Sequence, residues 1–376
     1  MNSKKITVLG CGLIGKTIAA DLCRDYDVIS VDNNADSLIQ IHALHPVKTI
    51  QTDLSDAPSV RKVIEDADLV ICAVPGFMGF KTLKSIIEAG KNVVDISFFA
   101  EDAFELDTLA KDKNVTAIVD CGVAPGLSGI ILGCYNKRMK IDSFECYVGG
   151  LPLEPKLPFK YKAPFSPSDV IEEYIRPARM IENRQVVVKE ALSGSEIINF
   201  GKAGNLEAFY TDGLRTMLRT MNIPNMIEKT LRYPGHIEII KLLREIGLFG
   251  EKEIEVRGQK VKPIDFVSKI LFPHWKLEKD EKEFTVLRVV IRGEQKSVQY
   301  DLYDEYDVET KTTSMARTTG YTCTAAARLV LENRFSRKGI CPPEYVGEDE
   351  NCYDYIKSYL LNRRVILDKS EKKEAM

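Results

Sequence analysis

Apolar, β-branched runs recur through the first 120 residues, at Ile6–Leu9, Val28–Val31, Lys48–Thr52, Leu69–Val74, Val93–Ile96 and Val115–Val119. Each is of strand length. The stretches between them carry helical spacing, as in Phe80, Leu83, Ile86 and Ile87 before the stop signal Gly90. Runs this apolar leave neither face for water, the mark of a parallel sheet covered on both sides by helices. Right-handed crossovers then predict a doubly wound α/β sheet of the Rossmann type.

The pattern changes after Asp120. Cys121–Gly129 is rich in loop formers, Phe144–Val148 reads as a strand, and Leu151–Pro167 holds five prolines, too many for an element interior. Glu238–Phe249 has a helical apolar face of Ile239, Leu242, Leu243, Ile246 and Phe249. Glu283–Arg292 and Lys296–Val308 are two long strands around a turn at Gly293–Gln295. This region predicts an α+β domain with a largely antiparallel sheet. Thr319–Glu332 is a small-residue helix suited to close packing, and the charged end from Lys369 is expected to fray.

A chain of 376 residues has room for two cores. The net charge of −3 is spread evenly, which excludes a nucleic-acid surface, and no apolar run reaches the length of a membrane span. Lys4 and Lys5 before an apolar run imitate a secretory leader, but the run stops at Gly10 and reads better as a first strand. Nine cysteines without a C-x-x-C pair predict a reduced, cytoplasmic protein with no structural metal.

Gly10-Cys11-Gly12-Leu13-Ile14-Gly15 matches G-x-G-x-x-G, a weak signal alone. Here a strand precedes it, an amphipathic helix follows it, and the next strand ends in Asp32, 22 residues after Gly10. Gly10 permits the tight turn, Gly12 lets a pyrophosphate approach the backbone, and Gly15 lets the helix pack on the strand. The helix N-terminus meets the phosphates, and the Asp32 carboxylate accepts bonds from the adenosine ribose. That carboxylate would repel a 2′-phosphate, and Asn33 and Asn34 offer no compensating cation, so NAD is expected over NADP. Strand ends add Asp53 at the adenine edge, Ala73, Val74 and Pro75 along the dinucleotide, and Asp95 and Ser97 near the nicotinamide. The carboxylates at these ends serve equally well as helix caps.

At these residues the chain resembles the saccharopine dehydrogenase superfamily, and most of all its L-lysine 6-dehydrogenase branch. The resemblance covers GCGLIGKTIAADL, Asp32, DCGVAPG (120–126), YVGGLP (147–152), LEAFYTDG (206–213), RYPGH (232–236), MARTTGY (315–321) and GICPPE (339–344). It implies a Rossmann domain formed by 1–122 and 315–376, and an inserted substrate-binding and dimerisation domain at 123–314. It also implies NAD-linked oxidative deamination of an amino acid, with the side-chain amine of L-lysine becoming a semialdehyde. A homodimer is expected, with the hairpin Glu283–Val308 pairing across a two-fold axis.

Oxidising an amine removes hydride from the carbon bearing nitrogen, so the ammonium, with a free pKa of about 10.4, must first lose a proton. His236 is a candidate acceptor, or else a helix cap in a polar niche. Glu207 and Tyr210 are candidates for holding the ammonium and carrying a proton, against a strand whose alternate residues happen to be polar. Arg215 and Arg232 are candidate carboxylate anchors, with ion pairing the alternative, while Arg317 is expected to tie the returning helix to the Rossmann domain. Pro125 and Gly126 shape a loop that would offer backbone N–H groups to substrate. A saccharopine-type or carboxynorspermidine-type reductase, and a non-catalytic NAD-binding sensor, are the competing readings. The reductase substrates carry more carboxylates and call for more cations in the cleft.

Overall fold

The computed structural model describes residues 4–278 and 280–373. The first part alternates strand and helix: β1 (Lys5–Leu9), α1 (Leu13–Leu22), β2 (Asp27–Asp32), α2 (Ala35–Leu44), β3 (Lys48–Gln51), α3 (Ala57–Val63), β4 (Leu69–Cys72), α4 (Gly76–Glu88), β5 (Asn92–Asp95), α5 (Asp107–Asp112) and β6 (Thr116–Ile118). Adjacent residues of one strand enter opposite cores. Ile6, Val8, Leu69 and Ile71 join one cluster, while Leu9, Val70 and Cys72 join the other. This two-sided burial is the physical basis of the continuous apolar runs.

The second part begins with α6 (Leu127–Arg138) and β7 (Ser143–Pro152), followed by the proline-rich excursion. Then come α7 (Pro167–Ile175), β8 (Ala178–Glu182), β9 (Gln185–Lys189), β10 (Glu196–Asn199), β11 (Asn205–Tyr210), α8 (Met217–Thr220), β12 (Asn225–Arg232) and α9 (His236–Glu245). A small hairpin, β13 (Ile254–Val256) with β14 (Gln259–Val261), leads to α10 (Pro263–Trp275) and the long pair β15 (Glu283–Gly293) and β16 (Lys296–Glu305). The turn residues Glu294 and Gln295 both have positive φ, 49° and 60°, as a two-residue hairpin of type I′ requires. The helix expected at Glu238–Phe249 starts at His236, because Gly235, at φ 92°, turns the chain there, and it ends at Glu245.

The chain then returns through α11 (Ser314–Leu331), β17 (Gly339–Cys341), α12 (Pro343–Gly347), α13 (Glu350–Leu361) and β18 (Leu367–Lys373). β17 adds to the edge of the parallel sheet, whose order is β17-β6-β5-β4-β1-β2-β3. The main path of the second sheet is β10-β11-β12-β7-β15-β16-β18, antiparallel except between β7 and β12.

Three expectations for the returning segment change. The end from Lys369 is a strand as far as Lys373, because the outer edge of β16 offers it a ladder from Leu302 to Lys296; residues 374–376 lie outside the described residues. The same pairing covers the hairpin, so β16 presents no free edge for a two-fold contact. Arg317 turns mainly to the second domain, binding Asp304 (Nε–Oδ2 2.8 Å) and Asp307 (2.9 Å), with one bond to the Arg363 carbonyl (3.0 Å) in the returning segment. The tie between the returning helices and α1 is instead the buried Asp21, which accepts from Thr324 (2.9 Å), Tyr359 (2.7 Å) and Arg363 (2.9 Å).

Candidate active site

A cavity of about 600 Å³ runs from the glycine turn to the second sheet. Gly10 sits at φ 103°, and a Cβ there would lie 2.3 Å from the Ala73 carbonyl oxygen. A Cβ on Gly15 would lie 2.1 Å from the Gly10 carbonyl, whereas one on Gly12 would meet nothing within 4 Å. Two glycines therefore serve packing, and Gly12 leaves open the space over the helix N-terminus that a pyrophosphate would fill. Leu13, Ile14, Asp53, Ala73, Val74, Pro75 and Ser97 line the same space. Asp32 faces it too, fixed by the Cys11 N–H (2.6 Å) and the Asn34 N–H (2.8 Å). The residues present fit a dinucleotide.

Asp95 is the exception. It is fully buried off the cleft, accepts the Ser97 N–H (2.9 Å) and hydroxyl (2.5 Å), and its carboxyl is pushed up to about 7 by burial. Through these bonds it fixes Ser97, which does line the space.

The far half of the cleft belongs to the second domain. In β12 the alternate residues Glu228, Thr230 and Arg232 turn one face to the cavity. Thr211–Gly213 follows β11 and contributes the floor beside them, and Asp169, Glu172, Glu173 and Arg176 come from α7 and its C-terminus. Asp120 and Pro125 enter from the loop after β6.

The expected catalytic trio stands elsewhere. His236 is wholly buried with both ring nitrogens engaged, Nδ1 at the Phe159 carbonyl (2.8 Å) and Nε2 at the Tyr174 hydroxyl (2.9 Å). Burial and the nearby Arg232 lower its pKa to about 3, so it stays neutral in an aromatic niche. Glu207 accepts from the Ser195 hydroxyl (2.7 Å) and the Gly235 N–H (3.2 Å), bracing the entry to α9. Tyr210 lies under the Lys229 ammonium, 4.4 Å from the ring centre. None of the three lines the cleft.

The two anchors are also committed. Arg215 is buried off the cleft against Asp120 (3.1 Å) and the Phe99 carbonyl (2.5 Å). Arg232 does line the cavity, but its Nε binds Tyr174 (3.1 Å), Nη1 the Leu231 carbonyl (2.9 Å) and Nη2 Glu173 (2.5 Å). Gly126, at φ 137°, closes onto Gly122 and leaves the cleft wall to Pro125. The loop turns its N–H groups inward, from Leu127 to Gly122 (2.9 Å) and from Ser128 to Val123 (3.2 Å).

Glu228, Asp169, Asp212 and Arg176 escaped the sequence reading. The E-x-T-x-R alternation at 228–232 was the available signal, but Glu228-Lys229 in isolation reads as a solvated face. Burial raises the Glu228 carboxyl to about 8, with Glu173, Asp212 and Asp120 adding to the rise and Arg215 opposing it. Asp169, largely buried and accepting the Gly76 N–H (3.3 Å), is raised to about 6.

Parallel sheet, glycine turn and cleft together define a dinucleotide-binding fold of the Rossmann class joined to a second domain. The family models for the saccharopine dehydrogenase NADP binding domain and the saccharopine dehydrogenase C-terminal domain match residues 6–118 and 118–364. The chain belongs to the saccharopine dehydrogenase family. It is 24% identical over 282 residues to the mitochondrial alpha-aminoadipic semialdehyde synthase of Mus musculus, covering 69% of this chain and 30% of that protein. The chain thus spans less than a third of that relative. It is 22% identical to the carboxyaminopropylagmatine dehydrogenase of Synechocystis sp., covering 92% of this chain and 93% of that one. Apo saccharopine dehydrogenase (L-Glu forming) from Saccharomyces cerevisiae shares the fold, with a TM-score of 0.78, 19% identity and coverage of 98% and 100%.

Proposed function

We propose that this chain oxidises a carbon–nitrogen bond of a cationic amino acid with NAD, and that L-lysine at its side-chain amine is the substrate. One observation carries the reading: the substrate half of the cleft holds more carboxyl groups than the protein pairs with cations. Asp120, Asp212, Glu172 and Glu173 are matched by Arg215, Arg179, Arg176 and Arg232. Asp169 and Glu228 have no ion-pair partner among the described residues, and no lysine lines the cleft. A cation satisfies such a site, whereas saccharopine, with its further carboxylates, meets few free donors.

When bound, the nicotinamide accepts the hydride. In sum, one substrate ammonium ion, one NAD⁺ and one water give one aldehyde, one NADH, one ammonium ion and one proton; the lysine semialdehyde then cyclises. Asp32, with no cation at Asn33 or Asn34, supports NAD over NADP. The protein's own residues hold the substrate, exclude water beside Phe98 and Met315, and manage the proton. A homodimer in the cytoplasm, with all nine cysteines free, completes the reading. The test is a panel of L-lysine, other diamino acids, saccharopine and carboxyaminopropyl amines against NAD and NADP. Lysine with NAD should give the fastest NADH formation; a faster reaction with saccharopine overturns the assignment.

A further inference from the structure

Two groups, one a carboxyl and one a guanidinium, line this cleft with bonding capacity unused. Glu228 is 3% exposed, lines the cavity, and its Oε2 has no hydrogen-bond partner among the described residues. Gly213 vacates the space for its carboxyl, since a Cβ there would fall 1.5 Å from Oε1. Arg176 is the counterpart. Its Nη2 binds Glu172 (3.0 Å), its guanidinium lies 5.0 Å from the Phe98 ring centre, and its buried Nη1 has no partner. Leaving such groups unpaired in a buried place is costly, and more so when they are charged, so a protein keeps them where a ligand completes them.

Resting on the reading above, we propose that Glu228 receives the reacting ammonium and takes its proton, and that Nη1 of Arg176 holds the substrate carboxylate. The cleft then selects one ammonium and one carboxylate separated along a chain. In the proton step an N–H bond of the ammonium breaks, its electron pair stays on nitrogen, and an O–H bond forms on the Glu228 carboxylate. The freed lone pair is what hydride loss from the neighbouring carbon needs. Arriving positive charge favours the ionised carboxyl, and Glu173, Asp212, Asp120 and Arg215 around it set how readily it recaptures a proton. Arg176 suits the second task because Glu172 and Phe98 already fix its plane, so a carboxylate meets a preset donor edge.

The experiment measures oxidation of L-lysine and pentylamine by the NAD-loaded parent, Glu228→Gln, Glu228→Asp and Arg176→Lys, with kcat/KM followed against pH. L-lysine binding to the NADH complex, where no turnover occurs, is measured in parallel by calorimetry. Glu228→Gln should lower kcat on lysine by about 100-fold or more and remove an inflection from the pH profile, with partial rescue by Asp. Arg176→Lys should erode the preference for lysine over pentylamine by about tenfold or more. Gly213→Ala, which displaces the carboxyl without removing it, should resemble Glu228→Gln.

Loss of calorimetric lysine binding in the Glu228 and Arg176 variants supports the placement even if the parent oxidises no amine, and then only the reaction reading falls. A parent that turns over lysine while Glu228→Gln keeps its rate and pH profile overturns the role of Glu228. An unchanged lysine-to-pentylamine ratio in Arg176→Lys overturns the anchor. A parent that neither binds nor oxidises lysine overturns both.

Discussion

The two halves of the cleft are built on different principles. The nucleotide half is made of backbone: a glycine turn, a helix N-terminus and the ends of β2 and β4, all within the first 75 residues. The substrate half is made of side chains drawn from the loop after β6, from α7, from the segment after β11 and from β12. Backbone sites are specified by local sequence, since only glycine fits and only a strand end can present Asp32. Side-chain sites depend on which arginine finds which carboxylate across the fold, and only the assembled structure leaves Oε2 of Glu228 and Nη1 of Arg176 without a partner among the described residues.

The largest test of this contrast is Arg215→Ala. It leaves Asp120 buried and unpaired, so a stability loss of about 3–5 kcal/mol is expected in denaturant unfolding, with NAD affinity per folded molecule nearly unchanged. A raised KM for lysine with intact stability would instead return Arg215 to the substrate. Next is Asp32→Ala with Asn33→Arg, expected to cost NAD binding about 1.5–3 kcal/mol and to improve NADP. Titration of both cofactors decides it, and a parent that already prefers NADP would refute the ribose argument.

Glu228 gives an effect that depends on pH. Its folded pKa, about 8, lies above the ordinary carboxylate value of 4.5, so the folded state holds the extra proton between the two. Its contribution is fully present below about pH 4.5 and is lost as pH rises through 8, at no more than about 1.4 kcal/mol per pH unit. Glu228→Gln should flatten that segment of the ligand-free stability profile; an unchanged slope would place the titration elsewhere. The smallest effect on stability belongs to Gly12→Ala, with open space at its Cβ. Unfolding free energy should stay within about 0.5 kcal/mol while NAD affinity falls. A cofactor affinity equal to the parent's would mean that the pyrophosphate does not approach there.

The same contrast explains what could be read before the structure. Six of the seven strands of the parallel sheet were legible because burial on both faces writes apolar runs, and the glycine spacing and Asp32 followed. β17 was not, since three residues between loop formers carry no period of their own. β18 was hidden because its residues, LDKSEKK, are charged; the open edge of β16, not side-chain burial, makes it a strand. His236, Glu207 and Tyr210 had the right chemistry for catalysis, yet neighbours remote in sequence, Phe159, Tyr174, Ser195 and Lys229 among them, had already engaged them. Arg215 and Arg232 are engaged in the same way, by Asp120 and Glu173. Residue type indicates what a group can do, and its partners decide whether it is free to do it.

The central claim is that the surplus acid of the substrate half selects a cationic amine for oxidation by NAD. Initial rates of NADH formation should be compared between L-lysine and saccharopine at equal, subsaturating concentration, each with NAD and with NADP. Lysine with NAD should exceed every other combination, and saccharopine should lag for want of cations to hold its carboxylates. Faster turnover of saccharopine, with either cofactor, would contradict the account.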